Sequence, residues 1–137
     1  MIPRIWTFLC LAALTACSGL SDCGDQVLVE KISPDGQHVA TLFVRDCGAT
    51  TGYATQLAIT KRGVPFDRTT VVFIADDDHG SALTQGPAIW TEMRWTNSTE
   101  LFFAYAEKAR IVRRRDQVDG IHVSYRATGP MALPPVF

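Results

Sequence analysis

The sequence predicts a small all-β domain of about eight antiparallel strands, folded as a sandwich of two sheets or as one curled sheet. Short runs rich in β-branched and aromatic residues alternate with turn signals along the chain. No segment shows a convincing helical period over more than two turns. A chain of 137 residues is long enough for one hydrophobic core but not for two.

Four strands are predicted in the first half of the domain, at residues 27–32, 38–44, 55–60 and 71–75. The Ser33-Pro34-Asp35-Gly36 turn signal separates the first strand from the second. The second strand is apolar on both faces, as a central strand is, and the fourth is a continuous apolar run. In the third strand, Gln56 and Thr60 lie on the face opposite Leu57.

Four more strands are predicted in the second half, at residues 88–95, 101–106, 109–117 and 121–126. A turn at residues 96–99 joins the first two of these strands. Asp119-Gly120 predicts a hairpin between the last two, because both residues tolerate positive φ. The tail at residues 128–137 contains three prolines and is expected to be extended.

The N-terminal residues predict an export signal. Arg4 precedes a mostly apolar run at residues 5–14, which is too short for a permanent transmembrane helix but suits a signal peptide. Leu14-Thr15-Ala16-Cys17 resembles the bacterial lipobox, in which the cysteine is lipidated and becomes the new N-terminus. We therefore expect residues 1–16 to be a lipoprotein signal peptide and Cys17 to carry the lipid. A plain secretory signal is the alternative.

The expected location is the cell envelope, with the lipid as the anchor. Two or three acyl chains hold a protein durably at a membrane, whereas one chain does so only marginally. Ser18 follows the cysteine where an aspartate would signal retention at the inner membrane. By this sorting pattern, the lipoprotein resemblance implies the outer membrane, facing the periplasm, if the cell has two membranes.

The predicted organisation has four parts. These are the signal peptide at 1–16, the lipidated cysteine and a tether at 17–26, the β-domain at 27–127 and the tail from 128. The chain has 13 basic and 14 acidic residues, and Arg4 is the only charge within the signal. Nucleic-acid-binding proteins carry a basic footprint, so we expect no nucleic-acid partner. The expected partners are the membrane, through the lipid, and an envelope protein.

The cysteines have separate expected roles. Cys10 lies in the signal and Cys17 takes the lipid, which leaves Cys23 and Cys47 as an even pair in an oxidising compartment. This favours a disulfide between them. Two free thiols are one alternative and zinc is another, although the spacing lacks a CxxC pair. We expect no metal and no other cofactor.

Three segments carry a family resemblance: SPDG at 33–36, RDCGATTG at 45–52 and FIAD with a following HG at 73–80. They resemble segments of a family of small bacterial envelope proteins without an established activity, and the likeness covers most of residues 28–126. The resemblance implies fold and location but no catalytic residue. ISPDGQHVATLFV and MRWTNSTELFFAY also resemble the hairpins of β-propeller blades. A propeller usually needs at least four blades of about 40–45 residues, so this chain is too short to close one.

Residues 45–56 form the most distinctive stretch, with two glycines and several threonines around Cys47. Arg45, Thr50 and Thr51 are candidate binding residues, because such a loop presents many donors to a carboxylate or a carbonyl. The alternative is a structural loop that is pinned by the disulfide and in which the glycines supply positive φ.

The acidic turn at residues 76–80 is a second candidate. Asp76, Asp78 and His79 offer the oxygen and nitrogen atoms that bind cations. The EF-hand pattern fails, however, because Pro87 stands at the twelfth position, where a glutamate is required. A solvated acidic turn is the alternative, and we predict no metal there.

The basic run at residues 110–115 is the third candidate. Arg113 and Arg115 are expected on one face of a strand. Arg110 and Arg114 are expected on the other. Charges on both faces favour an edge strand that is protected from unwanted pairing. The functional alternative is a contact with anionic lipid headgroups or with an acidic partner.

No pattern in the sequence indicates catalysis. The chain lacks a G-x-S-x-G elbow, an HExxH motif and a phosphate-binding loop. We therefore expect a non-enzymatic, lipid-anchored accessory protein of the cell envelope that binds a protein or an envelope component. The alternative is a domain that binds a small ligand or a metal through residues 45–56 and the turn at 76–79.

Overall fold

The computed structural model describes residues 23–48 and 52–128, and their regular structure is entirely β-strand. The strands are β1 (Gly24–Ile32), β2 (His38–Asp46), β3 (Ala54–Lys61), β4 (Val71–Asp76), β5 (Thr84–Gln85), β6 (Ala88–Ile89), β7 (Thr91–Asn97), β8 (Glu100–Ala106), β9 (Arg110–Arg114), β10 (Gln117–Val118) and β11 (Ile121–Thr128). Within the described ranges, no helix has the length and hydropathy to cross a membrane. The predicted signal peptide, Cys17, Thr50, Thr51 and the tail from residue 129 lie outside the described residues.

The strands form two main sheets. β1, β2, β3, β4 and β9 pair in that order as an antiparallel five-stranded sheet, and β10, β11, β8 and β7 form a four-stranded sheet. β5 and β6 make a separate short hairpin. Eight of the described strands have five residues or more. The prediction of a small all-β domain with about eight strands, arranged as a sandwich, is confirmed.

The core lies between the two sheets and is centred on Phe73 of β4. The Phe73 ring centroid lies 4.9 Å from that of Phe103 and 5.0 Å from that of Tyr105, both on β8. The centroid of Tyr125, on β11, lies 5.9 Å away. Aromatic pairs at such distances contribute about 0.5–1.5 kcal/mol beyond the effect of their burial. Buried aliphatic residues of the core come from both sheets: Ala40, Leu42, Leu57, Ile59, Met93, Leu101, Ile121 and Val123.

β9 departs from the predicted hairpin. It crosses to the edge of the five-stranded sheet and pairs with β4, so only the short β10 forms a hairpin with β11. The turn of that hairpin is the predicted one, with φ of 47° at Asp119 and 75° at Gly120. Because β9 intervenes in the other sheet, β11 returns parallel to β8, whereas an all-antiparallel fold was predicted. An arginine-rich strand is well suited to a sheet edge, where one side remains in water.

The predicted strand at 88–95 is interrupted at Trp90. The Trp90 amide donates to the Leu83 carbonyl at 2.7 Å, outside the ladder of β7. The preceding Ile89 donates its amide to the buried Thr55 hydroxyl at 3.0 Å, which fastens the β5–β6 hairpin to β3. The predicted strand is therefore two strands: β6 pairs with β5, and β7 pairs with β8.

The paired ends of β1 and β2 are joined by a disulfide between Cys23 and Cys47. β1 begins at Gly24, earlier than predicted, so the last residues assigned to the tether belong to the sheet. Next to the disulfide, Arg45 donates from Nε and Nη2 to the two carboxylate oxygens of Asp25, at 2.7 and 2.8 Å. These two contacts hold the end of the sheet together where the chain enters the domain.

Replacing both Cys23 and Cys47 by serine is expected to lower the free energy of unfolding by roughly 3–4 kcal/mol. The reason is that the unfolded chain regains the freedom of a loop spanning 24 residues. Urea denaturation of the full chain, followed by circular dichroism, measures the loss. The parent protein under reducing conditions should match the variant, and an unchanged urea midpoint would contradict the expectation.

Candidate functional site

The five-stranded sheet carries buried apolar side chains on both faces. Its inner face packs into the core, whereas its outer face, turned away from the four-stranded sheet, carries Phe43, Ala58 and Val71 as a second buried cluster. An antiparallel sheet in a sandwich usually presents a polar outer face to water. Here residues 62–70, which connect β3 to β4 and are termed the capping loop, cover the middle of that face.

The capping loop is anchored by one aromatic side chain. Phe66 stacks on Phe43 of β2, with ring centroids 4.4 Å apart and planes inclined by 24°. Ile74 of β4 packs against the same cluster. Burial of an aromatic side chain stabilises a protein by about 1.5–3 kcal/mol, so this stack is the main apolar attachment of the loop.

Hydrogen bonds fix the rest of the capping loop. The Asp67 carboxylate accepts from the Thr69 hydroxyl at 2.6 Å and from the Thr69 amide at 2.7 Å, and these bonds lower the pKa of Asp67. From β9 and the residue after it, Arg113 donates to the Arg68 carbonyl at 3.0 Å, and Arg115 donates to the Thr69 carbonyl at 2.9 Å. The loop is thus held on the sheet by a ring stack and at its side by two arginines.

A cleft of about 280 Å³ opens beside the capping loop. It is termed the arginine cleft and is lined by Asp25, Arg45, Gln56, Phe66, Asp67, Arg68, Val71, Ile74 and Arg113. Its floor comes from one row across the sheet, in which Gln56 of β3 pairs with Ile74 of β4 and Ile74 pairs with Arg113 of β9. Strand register therefore fixes the relative positions of the floor residues.

Gln56 is the most unusual residue of the arginine cleft. It is only 5% exposed, and its side-chain amide makes no hydrogen bond to the described residues. Among the described residues, His38 Nδ1 is the one buried side-chain nitrogen or oxygen atom without a hydrogen-bond partner, so the amide atoms of Gln56 keep access to water at the cleft. A carboxamide carries two N–H donors and one carbonyl acceptor. Since this amide borders the cleft, a ligand there can complete its hydrogen bonds.

The charged groups around the cleft differ in how many of their hydrogen bonds are already made within the protein. The hydrogen bonds with Arg45 lower the pKa of Asp25 and raise that of Arg45, so both groups are ionised at neutral pH. Asp67 is satisfied within the capping loop. Arg68 makes no side-chain hydrogen bond or ion pair with the described residues, and Arg113 uses one N–H group on the loop. The free hydrogen-bonding capacity of the cleft is therefore mainly cationic.

A larger groove of about 670 Å³ lies on the other side of Phe66. It is termed the apolar groove and is lined by Glu30, Ile32, Val39, Thr41, Thr60, Gly63, Val64, Pro65 and Phe66. Ile32 and Val64 are 51% and 53% exposed, which is high for aliphatic side chains. The capping loop thus separates a polar opening from an apolar one on a single sheet face.

Two predicted binding residues meet in the arginine cleft. Arg45 and Arg113 are distant in sequence, yet both line it. Arg115 lies beside it and holds the capping loop. Sequence analysis missed Gln56 and Phe66 as site residues. The available signals were a glutamine inside an otherwise apolar strand and an aromatic residue within a polar loop.

The orientation predicted for Arg110 is wrong. A bulge at Val112 shifts the register of β9 on β4, so Arg110 lies opposite Asp76 and shares the outer face with Arg113. Simple alternation failed because the bulge inserts one residue into the strand. Arg114 faces inward, with its guanidinium carbon 5.1 Å from the centroid of the Tyr125 ring.

The acidic turn at 76–80 lies outside the arginine cleft. The Arg110 guanidinium donates to both oxygens of Asp76 and lowers the pKa of that carboxyl, which also accepts the Asp78 amide at 3.0 Å. Asp78 and His79 adopt φ of 48° and 57° within the turn. Among residues 23–48 and 52–128, no group of three or more His, Cys, Asp and Glu side chains is arranged to hold a metal ion.

Comparisons with protein-family models, with curated proteins and with solved structures find no match to this chain. The geometry of the outer face is therefore the basis of the functional interpretation.

Replacing Phe66 by alanine is expected to lower the free energy of unfolding by roughly 3 kcal/mol, near the low end for phenylalanine truncation, because the ring is half-buried. It should also speed hydrogen exchange in β3, since the cover over Gln56 is lost. Urea denaturation and hydrogen exchange measure the two effects. Val64→Ala in the same loop is the control and should change stability by less than about 0.5 kcal/mol. Equal effects of the two substitutions would refute the anchoring role.

Replacing Asp25 by asparagine is expected to reduce the acid sensitivity of the fold. Because Arg45 lowers the folded pKa of Asp25, the pair adds stability above the unfolded value of about 3.9. That stability is lost as the pH falls through the lower folded value. Solvent screening limits the effect to about 1 kcal/mol or less.

Urea denaturation at several pH values measures this effect. The free energies of unfolding of parent and variant should differ at pH 6 and converge at strongly acidic pH. Asp116→Asn, at an exposed position, should retain the acid sensitivity of the parent. If the free energies of unfolding of the parent and Asp25→Asn differed by the same amount at all pH values, ionisation of Asp25 would not be linked to stability.

Proposed function

We propose that the chain is a lipid-anchored accessory protein of the cell envelope, which binds a protein or an envelope component through the outer face of its five-stranded sheet. The observation that carries this proposal is the incomplete cover of that face. The capping loop protects its middle, while the arginine cleft and the apolar groove remain open on either side. Concave openings that combine apolar walls with a few polar groups are typical of binding sites.

The proposed location rests on the N-terminal sequence and on the disulfide. Residues 14–17 resemble a lipobox, and Cys17 is the proposed lipidation site. A disulfide between Cys23 and Cys47 is typical of proteins in oxidising compartments, which supports a location outside the cytoplasm. In a cell with two membranes, we propose anchoring at the outer membrane, facing the periplasm. The resemblance to small envelope proteins agrees with this location.

We propose a binding function and not catalysis. Within the described residues, the arginine cleft is lined by arginine, aspartate, glutamine and apolar side chains, without a serine, cysteine or histidine. Both of its aspartates are held in hydrogen bonds, by Arg45 and by Thr69. Arginine and carboxamide groups recognise a ligand but do not act as nucleophiles.

A small ligand is the second candidate for the bound component. The size of the arginine cleft favours it, because about 280 Å³ accommodates a group no larger than one or two amino-acid residues. A macromolecular partner can insert such a group from its own surface. The two candidates therefore share one site and differ in what carries the recognised group.

Photo-cross-linking in intact cells tests the proposed binding face. A photoreactive amino acid placed at Val64, in the apolar groove, is expected to capture an envelope component. The same amino acid at Ser124, exposed on β11 of the other sheet, is the matched control and should not capture it. Mass spectrometry of the cross-linked product identifies the partner. Equal capture from both positions would contradict a binding site on the outer face.

The proposed anchor is tested in the same cells. Cys17→Ser is expected to move the protein out of the membrane fraction, because its only proposed membrane attachment is lost. Cys10→Ser, within the predicted signal peptide, should leave the protein in that fraction. Retention of the Cys17→Ser variant in the membrane fraction would refute lipid anchoring.

A further inference from the structure

The arginine cleft brings three kinds of chemical group within reach of one small molecule. Gln56, Ile74 and Arg113 occupy consecutive strands in one row of the sheet. Neighbouring strands are about 4.8 Å apart, so the Cα atoms of Gln56 and Arg113 are separated by about 10 Å. A ligand that lies on Ile74 can therefore contact an amide at one end and a guanidinium at the other.

The cationic end of the cleft suits a single carboxylate. A guanidinium has five N–H donors in a fork that matches a carboxylate, and Arg113 uses one nitrogen on the Arg68 carbonyl. The Arg68 guanidinium itself has no hydrogen bond or ion pair with the described residues. The lining includes three arginines and two aspartates, so one negative charge on the ligand neutralises it. A doubly charged phosphate would exceed that balance and approach two aspartates.

The side-chain amide of Gln56 can form a hydrogen bond with an amide group of a ligand. The residue is 5% exposed and lines the cleft, its amide atoms are open to the water there, and they have no partner among the described side chains or backbone groups. A secondary amide carries one N–H donor and one carbonyl acceptor on opposite sides, so it can make one neutral hydrogen bond with the carboxamide, either as donor or as acceptor. A simple carboxylate offers only acceptors and would satisfy only the N–H donors of the carboxamide.

The apolar walls suit an aliphatic side chain. Phe66, Val71 and Ile74 border the same opening between the amide and the arginines. A volume of about 280 Å³ lies at the lower end of ligand pockets, which suggests one residue and its linkage.

Resting on the proposed binding function, we propose that the arginine cleft binds a monocarboxylate linked to an amide and bearing an aliphatic side chain. Two sources share this chemistry: a free N-acylated amino acid and the C-terminal residue of a peptide. The carboxylate lies against Arg68 and Arg113, the amide pairs with Gln56, and the side chain packs on Phe66 and Ile74.

Titration calorimetry of the purified full chain tests the proposal with N-acetyl-leucine and N-acetyl-leucinamide. These probes are identical except at the terminal group, which is a carboxylate in one and a neutral carboxamide in the other. The acid is expected to bind at least about tenfold more tightly, because charged hydrogen bonds to guanidinium groups are lost in the amide. A tripeptide ending in leucine, with a free or an amidated C-terminus, distinguishes the two sources. Binding of the free tripeptide alone assigns peptide ends, and binding of both acids assigns the shared group.

Two variants link the binding to named residues. Gln56→Leu keeps the size of the side chain and should weaken binding of the acid by about two- to tenfold, as expected for one neutral hydrogen bond. Gln26→Leu, on β1 of the same sheet but outside the cleft, is the matched control and should bind as the parent does. Arg68→Gln, at an exposed position that does not threaten folding, should reduce the preference for the acid over the amide.

Equal affinity for acid and amide would overturn the proposal, as would the failure of both N-acetyl-leucine and the free tripeptide to bind the folded chain. An unchanged preference in Arg68→Gln, with Gln56→Leu indistinguishable from Gln26→Leu, would do the same. These failures leave site-specific cross-linking at Val64 intact, so they are distinguishable from failure of the proposed binding function.

Discussion

The stack of Phe66 on Phe43 is the contact on which the outer face of the domain depends. β3 is buried on both sides, and only one side can be covered by the second sheet. The apolar surface that remains must be removed from water by another segment of the chain. The capping loop does this with a single ring. The arginine cleft and the apolar groove exist because that cover is narrow, and Gln56 is buried because the cover is there.

Arginines of β9 and of the residue after it connect the edge of the sheet to this loop. Arg113 and Arg115 each donate to a carbonyl of the capping loop, which would otherwise be fastened mainly by Phe66. Isolated exposed charge contacts contribute little stability. Their importance is geometric, because they fix how far the loop stands from β9 and thus the width of the arginine cleft. The same arginines therefore protect the edge of the sheet and set the width of the arginine cleft.

Short sequence patterns predicted most of the strands and turns, whereas the arrangement of the arginine cleft depends on pairing between strands that are distant in sequence. The strands, the turn at Ser33–Gly36 and the Asp119-Gly120 hairpin follow from short patterns that act within a few residues. The crossing of β9 and its bulge at Val112 do not, because they depend on which sheet edge is free. Alternation placed Gln56 on the face opposite Leu57, but its burial arises from a loop that follows β3.

The two walls of the arginine cleft differ in rigidity, and this difference bears on recognition. Its floor, with Gln56 and Ile74, is held in the ladder between β3 and β4. Its opposite wall is the capping loop, where Asp67 and Arg68 have exposed side chains. Groups fixed by sheet register are preorganised, so they recognise an amide without a large loss of conformational entropy. A loop adapts more readily, which predicts strict selection for the amide and tolerance for the shape of the side chain.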